Sequence, residues 1–547
     1  LWLAALLFAL PFEPRRTLPL GGLEVTWLEA IAAPCCLALL LLLRGEVKNL
    51  LRARPLPLLL VGAYAAAHVV SAAVAREHQI EAGKFALRMC VAAGFAAIVA
   101  VLPRATLRAG LFALAATSIV VAALAIVEGA GSRSLDPLLN VFREAPFNVG
   151  GARRATAGSE YPNQAAAFLM HGLVVWTGLA GAACVRMRWL APIVAALSLG
   201  LLFTYSRGAL AAAAAAVAAM LAIGRLGRLP LLTRAAAICL GVLTLSALAF
   251  AGAREIFRLR LGGEGTDAWY AARYQPAERS LRLRPGEERR TSLTVTNLGA
   301  KTWTDREAFH LSYHWYDIDA RTLTDGDRTR LPRDVARGDS VQLTPLVVAP
   351  RKEGRYLLVW DMVHEETTWF SGQGVRPASA PVVVGQVPGG TSEPPADMFP
   401  AAAPGWRPGR FELWALALQM WRERPLLGVG PDNFRRLYGR FAGQGYWDTR
   451  IFANNLLLEA AATVGSLGAL ALLGTLGSAG WAAFRRSQTA PPDDRPLFVM
   501  LLALVAALAA HGAIDYVLAF TGHYLWFGFV IGAVSSFDRR QLGVPRR

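Results

Sequence analysis

The chain alternates between apolar blocks and short polar connections. Most blocks run to about 20 residues, the length a helix needs to cross the hydrocarbon core of a bilayer. This pattern predicts about twelve spans. They are Leu1 to Leu10, Trp27 to Leu43, Leu56 to Ala75, Phe85 to Leu102, Ala109 to Val127, Asn163 to Ala183, Ala191 to Tyr205, Ala209 to Ile223, Ala235 to Ala251, Leu456 to Phe484, Leu497 to Phe520 and Tyr524 to Phe537. No internal repeat and no broken span is read among them.

Between the ninth and tenth spans the period changes from helical to two. Leu311, Tyr313 and Trp315 alternate with Ser312, His314 and Tyr316, and Leu281, Leu283, Leu293 and Val295 alternate likewise. Turn signals recur at Asn297-Leu298-Gly299, Asp325-Gly326 and Arg337-Gly338-Asp339. Short strands at regular spacing predict a β-sandwich over 276–387, immunoglobulin-like in architecture but without its cysteines. A Pro/Gly-rich tether covers 388–408. In the segment 409–455, Phe411, Trp414, Leu418 and Trp421 lie at helical spacing, which predicts an amphipathic helix on the membrane face, ended by Pro425. The expected organisation is N-terminal transmembrane helices over 1–252, a linker over 253–275, then the sandwich, tether and amphipathic segment, and C-terminal transmembrane helices over 456–547.

Composition agrees with a polytopic membrane protein. Of 547 residues 54% are hydrophobic and only 17% charged, and the mean hydropathy is +0.37. The net charge of +17 would point to nucleic acid in a soluble protein. Here the arginines gather in alternate short loops, as the positive-inside bias requires, so no nucleic-acid partner is expected. The same loops predict cytoplasmic termini, with Glu128 to Pro162 and Gly252 to Asn454 facing outward. The first apolar run lacks a small-x-small site, so no cleavable signal is expected. The five cysteines lie in or beside apolar runs and form no disulfide or zinc pattern.

Against this background a few polar residues at span ends stand out. Arg153, Arg154 and Asn163 flank the sixth span, where Ser159 or Glu160 is a candidate cap and Pro162 a first-turn residue. Thr204-Tyr205-Ser206-Arg207-Gly208 joins two short spans, with Gly208 suited to a tight turn. An arginine there is costly unless it snorkels, pairs or faces a wet cavity. Arg410 opens the amphipathic helix, and Asp432 or Asn433 is placed to cap the next. Asn454, Asn455 and Glu459 stand at the lip of the tenth span. His511 and Asp515 are four apart inside an apolar run, as a functional pair or a bundle-bracing one. His310, His314 and His364 read as strand-surface residues more readily than as metal ligands. Guanidinium offers a planar fork of donors suited to phosphate or diphosphate. Arg154, Arg207 and Arg410 are therefore candidate contacts for a lipid carrying a diphosphate head.

Ser206-Arg207-Gly208-Ala209, Arg410 with Trp414, Pro425-Leu426-Leu427-Gly428-Val429-Gly430 and Asn455-Leu456-Leu457-Leu458-Glu459 together resemble the O-antigen ligase and Wzy-type polymerase superfamily. The stretch from Arg154 to Asn163 resembles that family's preceding outward motif. The resemblance implies a GT-C-like glycosyltransferase of the bacterial inner membrane. Such an enzyme moves glycan from an undecaprenyl-diphosphate carrier to a saccharide or lipid-linked acceptor on the periplasmic face, without metal, cofactor or nucleotide sugar. It implies Arg207 and Arg410 as diphosphate clamps. Asn454 and Glu459 are further catalytic candidates, and Arg154, Asn163, Ser206, Asn455, His511 and Asp515 are candidate substrate contacts. One departure matters. Where ligases of the family carry His-Asn, this chain has Asn454, which cannot take a proton at neutral pH. Positioning and charge alone, another base (Glu160, Asp432, Glu459 or His511), or an altered activity are the three ways out. A transporter of lipid-linked sugar, and a scaffold working through its β insert, are the competing classes.

Overall fold

The computed structural model describes residues 1–20, 23–149, 152–262, 269–317, 322–365, 367–371, 375–386, 408–443 and 447–536. Residues 388–407 of the tether and the last basic residues, from Arg539 on, lie outside the described residues. A helix forms at every apolar block. These are α1 (Trp2–Ala9), α2 (Trp27–Leu42) with α3 (Arg44–Arg52), α4 (Leu56–Ala73), α5 (Gln79–Val101) and α6 (Arg104–Gly129). After the short α7 (Asp136–Leu139) come α8 (Pro162–Gly181), α9 (Leu190–Phe203), α10 (Arg207–Leu226), α11 (Pro230–Ala253) and α12 (Glu255–Gly262). Beyond the β-rich insert lie α13 (Arg410–Glu423), α14 (Phe434–Phe441), α15 (Leu456–Thr489), α16 (Arg495–Gly512) and α17 (Thr521–Ser536).

Eight of the described helices are long and apolar enough to cross a membrane, or nine if α2 and α3, bent by 75°, count as one span. Eight or nine of the twelve expected spans thus meet the test of length and composition among the described residues. α1 and α9 are too short to reach that count, and α17 is described over 16 residues. α8 and α17 lie at the centre of the bundle, apolar on all sides and buried almost throughout. The outer helices α10 and α11 leave Leu226, Leu231, Leu245 and Leu248 exposed, which is the surface a bilayer covers.

Hydrogen bonds and ion pairs divide the connections into two sets. At one end Arg104 reaches Asp494 at 3.2 Å, tying the α5–α6 turn to the α15–α16 turn. At the other end Arg154 donates to the Thr204 carbonyl, Arg440 pairs with Glu77, Arg450 with Glu144, and Asn455 donates to the Ala513 carbonyl. This second end carries the polar motifs singled out in the sequence.

Three elements differ from expectation. α15 is broken at Gly465, whose φ of 69° only glycine adopts freely. The segment Pro425 to Gly430 lies across the break, with Ser466 N–H bonded to the Pro425 carbonyl and Gly430 N–H to that of Thr463. A Cβ on Gly465 would stand 2.2 Å from Leu426 backbone. α16 stops at Gly512, not Phe520, and the Ala513 carbonyl just beyond it accepts from the Asn455 amide, so Asp515 lies beyond the helix. On α13 the buried stripe is Leu413, Leu416, Ala417 and Met420, while Phe411 and Leu418 of the expected stripe face outward.

The insert is β-rich, with strands from Ala272 to Val384. Its largest sheet has seven strands built around Phe309–Asp317 and Gly354–His364, which pair antiparallel from Tyr356–Asp317 to His364–Phe309. A three-stranded sheet and a two-stranded ladder complete it. Trp303, Tyr313, Trp360 and Phe370 fill its core. Asp361 is fully buried there and accepts from Ser371 N–H and Tyr274 O–H. Burial, outweighing those hydrogen bonds, pushes its carboxyl up to about 7. The folded insert thus binds a proton that the unfolded chain releases near pH 4. Its stabilising effect is complete below about pH 4 and is lost as pH rises through 7. Thermal melts of the insert should fall across that window, and Asp361→Asn should flatten the dependence. A pH-independent melt in the parent protein would contradict this account.

Candidate functional site

The site begins with a backbone turn. Between α9 and α10 the chain reverses at Tyr205, which takes a left-handed φ of 53°. The turn is held by Thr204 Oγ1, which donates to the Leu201 carbonyl and accepts from Ser206 N–H. Ser206 occupies the N-cap of α10 without bonding its backbone. Gly208, expected to make the turn, instead lies inside the helix with a packing role. A Cβ there would meet Ile514 Cδ1 at 2.2 Å. Its bare backbone lets the start of α10 press against the end of α16.

Beside this packing lies an open cavity of about 360 Å³. Arg207, Arg260, Arg410, Asn163, Ser206, His511 and Asp515 all contribute to its lining. Three helices begin at its walls: α8 near Asn163, α10 at Arg207 and α13 at Arg410. None of the three has a side-chain cap, and helix N-termini carry partial positive charge with unsatisfied N–H groups. Three guanidiniums therefore face one carboxylate, that of Asp515. Arg154 stands just behind, bonded to the Thr204 carbonyl at 2.9 Å and Asn163 Oδ1 at 3.0 Å. Two like charges about 7 Å apart repel by roughly 2–3 kcal/mol at an effective dielectric of 20.

The cations are kept in place by backbone. Arg207 Nη1 donates to the Arg260 carbonyl at 2.7 Å, and Arg260 Nε donates to the Tyr205 carbonyl at 3.0 Å. Burial, then Arg154, Arg207 and Arg410 in turn, press Arg260 below the ordinary arginine range. Burial and Arg207 do the same to Arg154, opposed by Asp515. Arg410 Nε is buried with no hydrogen-bond partner. Such an arrangement lowers its energy by taking up an anion with more than one negative charge. Behind it, a buried network fixes the loop that carries Arg154. Arg143 is wholly buried and pairs with Glu128, while Arg153 pairs with Asp136.

His511 and Asp515 face each other across 3.7 Å, and Asp515 also accepts from Tyr516 N–H. Six of the ten candidate residues thus line one cavity, and Arg154 bonds to one of them. The other three do not line it. Asn455 is the N-cap of α15, accepting from Leu457 and Leu458 N–H. Asn454 takes a left-handed φ of 50°, and the buried Glu459 accepts from Ala453 N–H at 2.8 Å. The expected caps do not form. Tyr161 precedes α8, with Ser159 bonded to the Pro11 carbonyl. Asn433 donates to the Glu77 carbonyl, and Asp432 pairs with Arg435. Arg260 went unnoticed in the sequence because it fell in a segment taken as linker. The argument that singled out Arg207, that an arginine beside apolar spans is costly unless it pairs or faces a wet cavity, applies to it equally.

In the β insert, His310 contacts Asp305 and Glu365, His314 contacts Asp325, and His364 contacts Tyr270 O–H. Among the described residues no group of three or more His, Cys, Asp or Glu side chains is arranged to hold a metal ion.

Compared with known protein families and with curated proteins, the chain finds no match. What it is rests on its own architecture: a multi-pass membrane protein with an inserted β-rich region. More particularly, it is a bundle with a cationic cavity at the end where its polar loops meet.

The close contact at Gly208 is testable. Gly208→Val should cost about 1–3 kcal/mol through overpacking and disturb the cavity, and Ile514→Ala in the same chain should restore most of the loss. Thermal unfolding in detergent reads both. A Gly208→Val protein as stable as the parent would refute the contact.

Proposed function

We propose that the chain is a lipid-linked glycan transferase of the O-antigen ligase and polymerase type. The observation that carries this reading is the convergence of Arg207, Arg260 and Arg410 in one cavity with Asn163, Ser206, His511 and Asp515. The excess of guanidinium matches a diphosphate, and Phe411, next to Arg410 and largely exposed, offers apolar surface for a polyprenyl tail. On this reading the twelve apolar helices are spans of a GT-C-like bundle with cytoplasmic termini, and the cavity opens to the periplasm. The β insert is an immunoglobulin-like module on the same side.

In the proposed reaction the diphosphate of undecaprenyl-diphosphate-glycan lies between the arginines. An acceptor hydroxyl attacks the anomeric carbon as the carbon–oxygen bond to diphosphate breaks. The departing diphosphate keeps the electron pair, and its growing charge is met by fixed guanidinium groups and the α10 N-terminus. The acceptor proton passes to His511, oriented by Asp515, which supplies the base that Asn454 cannot. Asn455 and Glu459 act at one remove, by holding the chain that leads into α15.

Transfer should be measured in proteoliposomes supplied with undecaprenyl-diphosphate-linked glycan. Arg207→Ala and Arg410→Ala should each lower kcat/KM by roughly 10²–10³-fold. Lysine at either position should recover only part, because it lacks the planar fork. His511→Gln should lower kcat with little change in donor binding. Unchanged transfer in both arginine variants would reject the assignment.

A further inference from the structure

A second cavity adjoins the first turn of α8 and has a different chemistry. It holds about 210 Å³. Its walls include Glu13, Ser159, Gln164, Phe168, Phe520 and His523. Asn163 lines the cationic cavity and Gln164 lines this one. Beyond α16 the arrangement repeats, with Asp515 at the cationic cavity and Phe520 to His523 here. A third space of similar size shares Glu13, Thr26, Glu160 and Phe520 with it.

Three polar atoms on its walls are buried with nothing to bond: Glu13 Oε1, Gln164 Nε2 and His523 Nε2. Gln164 is only 6% exposed and His523 3%. Gln164 Oε1 accepts from Glu160 N–H, and the Thr26 and Thr521 hydroxyls bond each other at 3.2 Å. Leaving three buried polar atoms unsatisfied costs about 1–3 kcal/mol apiece, so the cavity is built to hold something polar. Its charge differs from that of the first site. Two carboxyl groups, Glu13 and Glu160, face one guanidinium, Arg15, so a second phosphate has no reason to bind. Carboxyl, hydroxyl, amide and imidazole groups line it together with two aromatic rings, Phe520 and Phe168, the latter 4.6 Å from the His523 ring. A pyranose has that same division, with hydroxyls at its rim and C–H groups on its face.

We propose that the cavity bounded by Glu13, Ser159, Gln164, Phe168, Phe520 and His523 is the subsite for the acceptor saccharide, a neutral sugar presenting adjacent hydroxyls. This rests on the transferase reading above and deepens it. The donor's diphosphate and the acceptor's sugar lie on either side of the α8 N-terminus. An incoming hydroxyl then approaches the anomeric carbon from a direction separate from that of the leaving group.

The test uses the full chain in lipid nanodiscs. Methyl glycosides of glucose, galactose, mannose and N-acetylglucosamine serve as probes in saturation-transfer difference NMR. At least one should give a signal that Gln164→Ala or the isosteric Glu13→Gln lowers fivefold or more, and that saturating undecaprenyl diphosphate leaves in place. Both variants should still bind undecaprenyl diphosphate, which controls for folding. No signal from any glycoside, or a signal indifferent to both substitutions, in protein that binds undecaprenyl diphosphate would mean the cavity holds water only and overturn the proposal. Saccharide signal with no undecaprenyl diphosphate binding in the parent protein would instead overturn the transferase reading.

Discussion

Arg207 and Arg260 are like charges held together by each other's surroundings. The guanidinium of Arg207 bonds the carbonyl of Arg260, and that of Arg260 bonds the carbonyl of Tyr205, two residues before Arg207. Repulsion between the side chains is resisted by hydrogen bonds to backbone that cannot move without unwinding α12 or the turn before α10. Electrostatic preorganisation needs such a frame, because donors that relaxed apart in the empty site would have to be gathered again on binding. The rest of the bundle serves that frame. α16 presses on Gly208, α8 supplies Asn163, and the buried Arg143–Glu128 pair fixes the hairpin bearing Arg154.

The break in α15 belongs to the same economy of backbone. Gly465 opens the helix, and the segment Pro425 to Gly430 fills the gap with its own carbonyls and N–H groups. Non-helical backbone at this depth is tolerated only where protein satisfies its polar groups. The exchange also anchors the connection from α13 to α15, and so fixes where Arg410 stands. Ser71 on α4 donates to the carbonyls of Leu427 and Thr463, which locks a third helix to the joint.

A division of labour along α8 follows from its central burial. Its first turn separates a cavity rich in guanidinium from one with carboxyl, amide and imidazole groups. Tyr161 and Phe520, with ring centroids 5.7 Å apart, pack beside the second of these. Chemistry that must bring a charged leaving group and a neutral nucleophile to one atom benefits from two environments of this kind.

Helix-forming blocks and the β-rich insert were legible in order because each depends on local periodicity, which water and lipid sort by burial. Arg207, Arg410, Asn163, His511 and Asp515 were legible as isolated polar residues in apolar surroundings, where a cost implies a reason. Other features lay beyond the sequence. Arg260 joins the site only because α12 folds back on the Tyr205 turn. Asn455 and Glu459 turn out to bond backbone, since which polar group meets which carbonyl depends on three-dimensional approach. Gly208 and Gly465 look alike as letters, yet one permits a close contact and the other a left-handed backbone. Pattern along a chain determines which surfaces must be buried; only packing decides which distant residues come to share a cavity, because that is set by contacts between helices far apart in sequence.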